Sequence, residues 1–125
     1  MTKIVVGGQI NKDEVAKLLK ELFKDQADVE IKNDLEAAMD MKNGLKDYYF
    51  GACVTGGGGA LAMAIALIGA DKCATVSMPG NIFPDEKIIE EVNKGKTAFG
   101  FTSQHIDKVV PVLAKAILAR KKQAS

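Results

Sequence analysis

The spacing of apolar residues along this chain switches repeatedly between the period of a β-strand and the period of an α-helix. A short β-branched run, Ile4–Val6, ends at Gly7–Gly8, and the residues after it are apolar at every third and fourth position. The first helical stripe consists of Val15, Leu18, Leu19, Leu22 and Phe23. The chain contains five such β–α units. They predict an α/β fold, in which helices cover both faces of a parallel sheet and right-handed crossovers join the strands.

The later strands are expected at Val29–Ile31, Tyr48–Cys53, Cys73–Ser77 and Thr97–Phe101. The third strand is almost entirely apolar, which is typical of a central strand buried on both faces. Neither a linker nor a repeat separates the five units. We therefore expect residues 1–125 to form a single-domain, three-layer α/β/α structure with a Rossmann-like, five-stranded parallel sheet.

Capping residues and prolines indicate where the helices begin and end. The segments Asn11–Glu14 and Asn33–Glu36 both match a capping box, so each predicts a helix start. A third helix is expected over Ala60–Ile68, and Pro84 suits the first turn of a fourth. Pro111 predicts a kink or a restart in the last helix.

Charge, hydropathy and cysteine content indicate which partners are excluded and in which compartment the protein is expected. The net charge of +1 argues against nucleic acid, because binding to phosphate backbones needs a concentrated basic surface. Ala60–Ala70 is the longest uncharged apolar run, about half of what a bilayer span requires, so no membrane insertion is expected. Two cysteines without a secretory signal indicate reduced thiols in the cytoplasm. One histidine and two separated cysteines cannot form a structural zinc site, and neither a metal nor a cofactor is expected.

The least ordinary stretch is the turn Cys53–Gly59, which contains four consecutive glycines, Gly56, Gly57, Gly58 and Gly59. Backbone N–H groups at such a turn can form a concave nest at a helix N-terminus, which suits a phosphate, a carboxylate or an enolate oxygen. The hydroxyl of Thr55 is expected either to cap the helix or to bind the same ligand. Cys53, at the end of the strand, is a candidate nucleophile or proton-transfer base; the alternative is a small residue that fills the core.

Other candidates follow neighbouring strands. In parallel sheets, ligands bind beyond the carboxyl ends of the strands, where Gly8, Gln9, Asn81 and His105 are expected. Gly8, Gln9 and Asn81 are candidate ligand-binding residues, and each is equally explained as turn chemistry. His105 is a candidate general acid or an exposed residue at a helix start. Asp34 is expected only to complement the dipole of the second helix.

Two resemblances follow from these residues. The chain resembles the uncharacterised YhfU-like family of small bacterial α/β proteins along its whole length, through the segments Asn33–Met39, Asp47–Tyr49, Gly51–Gly56 and Lys96–Gly100. That family is of unknown function, so the resemblance implies a fold.

The second resemblance is local. Cys53–Gly58 is similar to the Cys-Gly-Thr-Gly-x-Gly turn of the ribose-5-phosphate isomerase B and galactose-6-phosphate isomerase family. The resemblance implies that Cys53 moves a substrate proton, while Thr55 and the amides of Gly56–Gly59 stabilise developing charge. The Asp-His pair that this family carries after strand one is replaced by Gly7–Gln9, and its phosphate-binding arginines have no counterpart.

The sequence favours binding of a small anionic metabolite, a phosphorylated sugar or a carboxylate, at the turn. The alternatives are a sugar-phosphate isomerase that uses Cys53 as base, a phosphocarrier in which Cys53 takes the phosphoryl group, and a non-catalytic structural subunit. The helix Ala60–Ile68 has no polar face, so we expect it to pack against its copy in a homodimer or larger homo-oligomer.

Overall fold

A computed structural model describes residues 1–55 and 57–124. Helices and strands alternate along the described chain as the sequence predicts. The strands are β1 (Thr2–Gly8), β2 (Ala27–Ile31), β3 (Tyr48–Cys53), β4 (Cys73–Thr75), β5 (Ser77–Met78), β6 (Asn81–Ile82) and β7 (Ala98–Thr102). The helices are α1 (Lys12–Phe23), α2 (Asp34–Lys42), α3 (Gly57–Ile68), α4 (Asp85–Asn93) and α5 (Ile106–Ala124).

Five of the strands form one parallel sheet in the order β2-β1-β3-β7-β4. Side chains from α1, α4 and α5 share one core with one face of this sheet. Side chains from α2 and α3 pack on the opposite face, against Val5, Tyr49 and Ala98. The α/β class, the five-stranded parallel sheet and the helices on both of its faces are confirmed.

Helix α3 lies unusually close to the sheet, because the strands beneath it carry glycine where other residues would carry side chains. A methyl group on Gly100 would lie 2.7 Å from Cγ of Leu61, and one on Gly51 would lie 3.0 Å from the carbonyl oxygen of Ala60. These glycines let the start of α3 settle onto β3 and β7. The helix is thereby fixed against the two strands whose ends form the candidate site.

The prediction of one strand over Cys73–Ser77 was wrong. Strand β4 ends at Thr75, and Ser77–Met78 pairs with Asn81–Ile82 in an antiparallel hairpin that closes around Pro79–Gly80. Val76 between them still donates its N–H to the carbonyl of Gly100, at 2.9 Å. Gly80 takes a φ of +73°, so the turn folds the chain back before the sheet can continue.

Both helices begin where the two capping boxes predict, but only Asn33 caps its helix with its side chain, and the cap expected at Asn11 is wrong. Asn33 is extended, and its Oδ1 accepts a hydrogen bond from the N–H of Glu36 at 2.8 Å. Asn11 instead has a left-handed backbone, with φ 56° and ψ 30°, and its side chain makes no capping bond. A capping side chain needs the extended backbone that Asn33 has.

Two expectations about prolines also change. Pro84 lies one residue before α4, in the N-cap position, rather than in the first helical turn. Helix α5 is continuous across Pro111, without a restart. Pro111 removes the N–H that would bond to the carbonyl of Asp107, and Asp107 is exposed, so water can replace the missing bond.

Candidate functional site

The strand order reverses at β1, because β2 lies on one side of it and β3 on the other. In open α/β sheets such a switch point leaves a crevice beyond the carboxyl ends of the two diverging strands. Here Gly8 ends β1 and Gln9 follows it, and the glycine-rich turn follows β3. The two segments are joined directly, since the N–H groups of Gln9 and Ile10 both donate to the carbonyl of Ala52, at 3.0 and 3.3 Å.

Glycine is required at Gly8, and the segments also meet closely at Gly59. Gly8 has a φ of +79°, and a methyl group there would lie 2.7 Å from the nitrogen of Ala52. At Gly59, a methyl group would lie 2.9 Å from Oε1 of Gln9. The missing side chain at Gly59 lets the amide of Gln9 lie against the first turn of α3.

Helix α3 begins at Gly57 rather than at Ala60, so Gly57–Gly59 form its first turn instead of the loop before it. The first N–H groups of a helix have no partner within the helix, and together with the helix dipole they favour negative charge. Gly59 is partly exposed. The expected contribution of Gly56 lies outside the described residues.

Two hydroxyls and one thiol surround the start of this helix. Cys53 ends β3 and is buried, with its Sγ 3.5 Å from Oγ1 of the exposed Thr55. Thr102 is the register partner of Cys53 on β7. Because side chains alternate along a strand, Thr102 shares the face of Gly100, which α3 covers.

The Thr102 hydroxyl is the most informative atom of the group. Thr102 is 1% exposed, and within the described chain its Oγ1 has no hydrogen-bond partner. A buried polar atom without a partner is costly and rare in native structures. Leu61 lies over Gly100, so Thr102, one pleat nearer the carboxyl edge, lies beneath the start of α3. A further hydrogen-bond partner at that helix start would remove this cost.

A hydrogen-bonded network on the β1 side involves Asp34 and Tyr49, which the sequence did not single out as site residues. The N–H of Gly8 donates to the Tyr49 hydroxyl at 2.9 Å and to Oδ1 of Asp34 at 3.2 Å. The same hydroxyl hydrogen-bonds Oδ1 of Asp34 and lies 2.7 Å from the carbonyl oxygen of Ala60 in α3. Burial first, and the neighbouring carboxylate second, raise the pKa of Tyr49, so its hydroxyl stays protonated and donates.

The remaining candidates occupy the same edge of the sheet but do not join this network. His105 lies in a short 3₁₀ turn after β7, and its Nδ1 is buried without a partner in the described part of the chain. Asn81 is exposed, in the outer strand of the hairpin. Ser77 is buried and accepts a hydrogen bond from the N–H of Thr102 at 2.9 Å, which ties the hairpin to β7.

Comparison with known proteins gives this fold a family. A family model described as "Protein of unknown function DUF2620" matches residues 2–117. The chain belongs to the DUF2620 family. It is 42% identical over 113 residues to the uncharacterized protein YhfU of Escherichia coli K12, covering 90% of this chain and 96% of that one. The corresponding uncharacterized protein of Shigella flexneri gives the same values.

Among solved structures, this DUF2620 chain is similar to a ribose 5-phosphate isomerase from Thermotoga maritima, with a TM-score of 0.62. The match covers 94% of this chain and 86% of the isomerase, at 13% sequence identity. At that identity the likeness establishes a shared fold. The α/β fold and the resemblance to the YhfU-like family are thereby confirmed, and the likeness to the isomerase extends to the fold.

In the DUF2620 fold, the predicted site residues fall into one group and two outlying positions. Gly8, Gln9, Cys53, Thr55 and Gly57–Gly59 come together at the switch point, while Asn81 and His105 lie farther along the edge, after β4 and β7. Asp34, Tyr49 and Thr102 escaped sequence reasoning because their contacts join distant segments of the chain. The only sequence signal was the position of Asp34, directly after the capping residue Asn33.

The site carries hydrogen-bond donors and a thiol, which suits binding and proton transfer. Within residues 1–55 and 57–124, no group of three or more His, Cys, Asp or Glu side chains is placed to hold a metal ion. None of the described helices combines the length and apolar character needed to cross a membrane. The second cysteine, Cys73, is buried in the core, and burial raises the pKa of its thiol.

Proposed function

We propose that this protein binds a small anionic metabolite, a phosphorylated sugar or a carboxylate, at the turn Cys53–Gly59. The observation that carries the proposal is the buried hydroxyl of Thr102, beneath the start of α3. This hydroxyl has no hydrogen-bond partner among the described residues. The first-turn amides of the helix supply further donors, and Thr55 lies beside Cys53 at the same edge. Gln9 borders the site from β1.

Calorimetric titration of the Thr102→Val variant with ribose 5-phosphate tests the proposal. Valine keeps the shape of threonine but cannot donate to the ligand, so we expect affinity to fall about tenfold. The free energy of unfolding should hold or rise by up to ~1 kcal/mol, because an unpaired buried hydroxyl is removed.

The matched control is Thr2→Val, at another buried threonine, which lies at the opposite end of its strand from the site. It should leave affinity unchanged. Equal binding by wild type and Thr102→Val would count against the proposal, as would a failure of wild type to bind inorganic phosphate and ribose 5-phosphate alike.

A second candidate function is aldose–ketose isomerisation of a sugar phosphate, with Cys53 as the base. It is favoured by the position of Cys53, whose Sγ lies 3.5 Å from the Thr55 hydroxyl at the end of the central strand. In this reaction the thiolate removes the proton from the hydroxyl-bearing carbon beside the carbonyl and returns it to the former carbonyl carbon, while the proton of that hydroxyl moves to the former carbonyl oxygen. The first-turn amides stabilise the enediolate formed between the two steps. We keep the cytoplasm as the proposed location, because a reduced thiol persists there.

Solvent deuterium exchange separates catalysis from binding. If Cys53 is a base, wild type incorporates deuterium beside the carbonyl of ribose 5-phosphate, and Cys53→Ser binds the sugar but does not exchange it. If wild type binds the sugar but does not exchange its proton, the protein is a binding module and the isomerase function is wrong. The phosphocarrier reading predicts instead a phosphorylated thiol, which mass spectrometry of the intact protein detects.

A further inference from the structure

Asp34 brings a carboxylate to the edge of the proposed anion site. It is held there by two donors, the N–H of Gly8 at 3.2 Å and the hydroxyl of Tyr49. Both bonds go to Oδ1. The Tyr49 hydroxyl connects this carboxylate to the first turn of α3, because it also lies 2.7 Å from the carbonyl oxygen of Ala60.

The hydrogen bonds that hold Asp34 are not needed by a residue that only complements a helix dipole. Any acidic side chain in the first turn of α2 interacts favourably with the helix, and the exposed Glu36 already does so. Asp34 is additionally fixed by a fully buried tyrosine and a strand-end amide. Side chains held in this way by neighbouring hydrogen bonds are typical of binding sites.

A carboxylate beside an anion site also limits what the site can bind. A bare anion at the start of α3 would be repelled by Asp34, and nothing on the ligand would offset the repulsion. A ligand that carries an O–H or N–H donor near its anionic group turns the repulsion into a charge-assisted hydrogen bond. Both of these bonds use Oδ1, and Asp34 is partly exposed, so among the described residues its Oδ2 is open to such a bond.

We propose that Asp34 is a ligand-binding residue that selects anions bearing a hydroxyl or ammonium donor next to the anionic group. The inference rests on the proposed function, since it assumes that the anionic group binds at the start of α3. The unpartnered hydroxyl of Thr102 marks the anionic end and Asp34 marks the donor end. The ligand would therefore extend from the end of β7 to the end of β1, across β3.

Three phosphate monoesters test the proposal on the wild-type protein. Propyl phosphate has no donor near its phosphate, glycerol 3-phosphate has two hydroxyls, and phosphoethanolamine has an ammonium group. We expect at least one donor-bearing ester to bind about tenfold more tightly than propyl phosphate in calorimetry. A tighter glycerol 3-phosphate identifies a polyol ligand, and a tighter phosphoethanolamine identifies an amine.

The Asp34→Asn variant assigns that preference to the carboxylate. It should lower the preference to within about twofold and leave the affinity for propyl phosphate equal or slightly higher, because a repelling charge is gone. The control Glu36→Gln removes another carboxylate from the same helical turn and should keep the full preference. Circular dichroism establishes that both variants are folded.

The possible outcomes distinguish a failure of the role of Asp34 from a failure of the proposed anion binding. If propyl phosphate binds and the donor-bearing esters bind no more tightly, the role of Asp34 is wrong and the anion site stands. A preference that survives in Asp34→Asn overturns the role as well. If none of the three esters binds, the anion site itself is wrong.

Discussion

At the scale of single residues, Tyr49 links the two halves of the candidate site. Its ring is buried between the sheet and helices α2 and α3, and its hydroxyl joins Gly8, Asp34 and Ala60. Because side chains alternate along a strand, Tyr48 and Tyr49 face opposite sides of the sheet: Tyr48 packs against the core shared with α1, α4 and α5, and Tyr49 lies in the core shared with α2 and α3. The alternation of side chains does not predict which groups the Tyr49 hydroxyl bonds to, because those partners depend on where α2 and α3 begin relative to β1.

Removing this hydroxyl should destabilise the protein without emptying its core. We expect Tyr49→Phe to lower the free energy of unfolding by about 1–3 kcal/mol, because the carbonyl of Ala60 and the amide of Gly8 lose a buried partner. Urea denaturation measures the change. Tyr48→Phe, at a half-buried tyrosine on the opposite face, should cost less. Equal losses would show that the network does not stabilise the fold.

The same substitution should alter the response to high pH. The pKa of Tyr49 is raised in the folded state by burial and by Asp34, so its contribution to stability is present below the pKa of an unfolded tyrosine, about 10. That contribution is lost as pH rises above this value. Wild type should therefore lose more stability than Tyr49→Phe between about pH 10 and pH 11. Parallel stability curves for the two proteins would contradict the assignment.

At the scale of elements, the starts of α1 and α2 show what local sequence can and cannot predict about helix capping. Asn33 and Asn11 stand before similar sequences, yet only Asn33 caps its helix. The difference comes from the chain before Asn11, where Gln9 and Ile10 both bond to Ala52 and force a left-handed residue before α1. A turn set by a neighbouring strand cannot be predicted from the spacing of Asn and Glu.

The two asparagines should respond in opposite ways to substitution. Asn33→Ala should lower the free energy of unfolding by about 1 kcal/mol, because the N–H of Glu36 loses its acceptor. Asn11→Gly should hold stability or raise it slightly, since glycine adopts the left-handed backbone without strain. Thermal denaturation of both variants checks this. A large loss in Asn11→Gly would mean that the Asn11 side chain matters in a way that its bonds do not reveal.

The start of α3 was the most consequential difference between sequence and structure. Four glycines indicate a loop by propensity, because glycine is unfavourable in helices. The structure instead begins the helix at Gly57, and the contacts of Gly51, Gly59 and Gly100 suggest why small residues are needed there. The helix lies too close to the sheet at Gly51 and Gly100 for larger side chains. Close approach between distant segments is visible only once the fold is known.

At the scale of the whole molecule, the alternation of strand and helix patterns was sufficient for the fold class. The order of strands was not, because no local pattern states that β7 lies between β3 and β4. That order decides which turns meet. It brings Gly8 and Gln9 to the glycine-rich turn, and it sets Thr102 beside Cys53. The sequence therefore located one segment of the candidate site, whereas the strand order determined which other residues lie beside that segment.

The outer face of α3 is apolar in the single chain, and α2 next to it exposes two further apolar side chains, so the homo-oligomer is kept as a proposal. The exposed apolar side chains there are Leu35, Met39, Met63 and Ile65. Exposed apolar patches of this kind mark interaction surfaces. We propose that the second copy of the chain covers them in a homodimer or larger assembly.

Light scattering of wild type and two variants tests this assembly. Wild type should give at least about twice the chain mass of 13.3 kDa, and Met63→Glu should give the single-chain mass. The control Ile89→Glu changes an equally exposed apolar residue on α4, across the sheet, and should leave the mass unchanged. A wild-type monomer at concentrations of about tens of micromolar would contradict the proposal.

The central claim is that an anion binds against the first-turn amides of α3, and amide NMR tests it most directly. During titration with inorganic phosphate, the account predicts the largest shifts at the N–H groups of Gly57, Gly58 and Gly59, with a smaller shift at Gln9. Gly44 and Gly95, whose N–H groups bond to Met41 and Val92, should not move. If the shifts fall elsewhere, or if saturating phosphate moves none of these amides, the anion site is not at the start of α3.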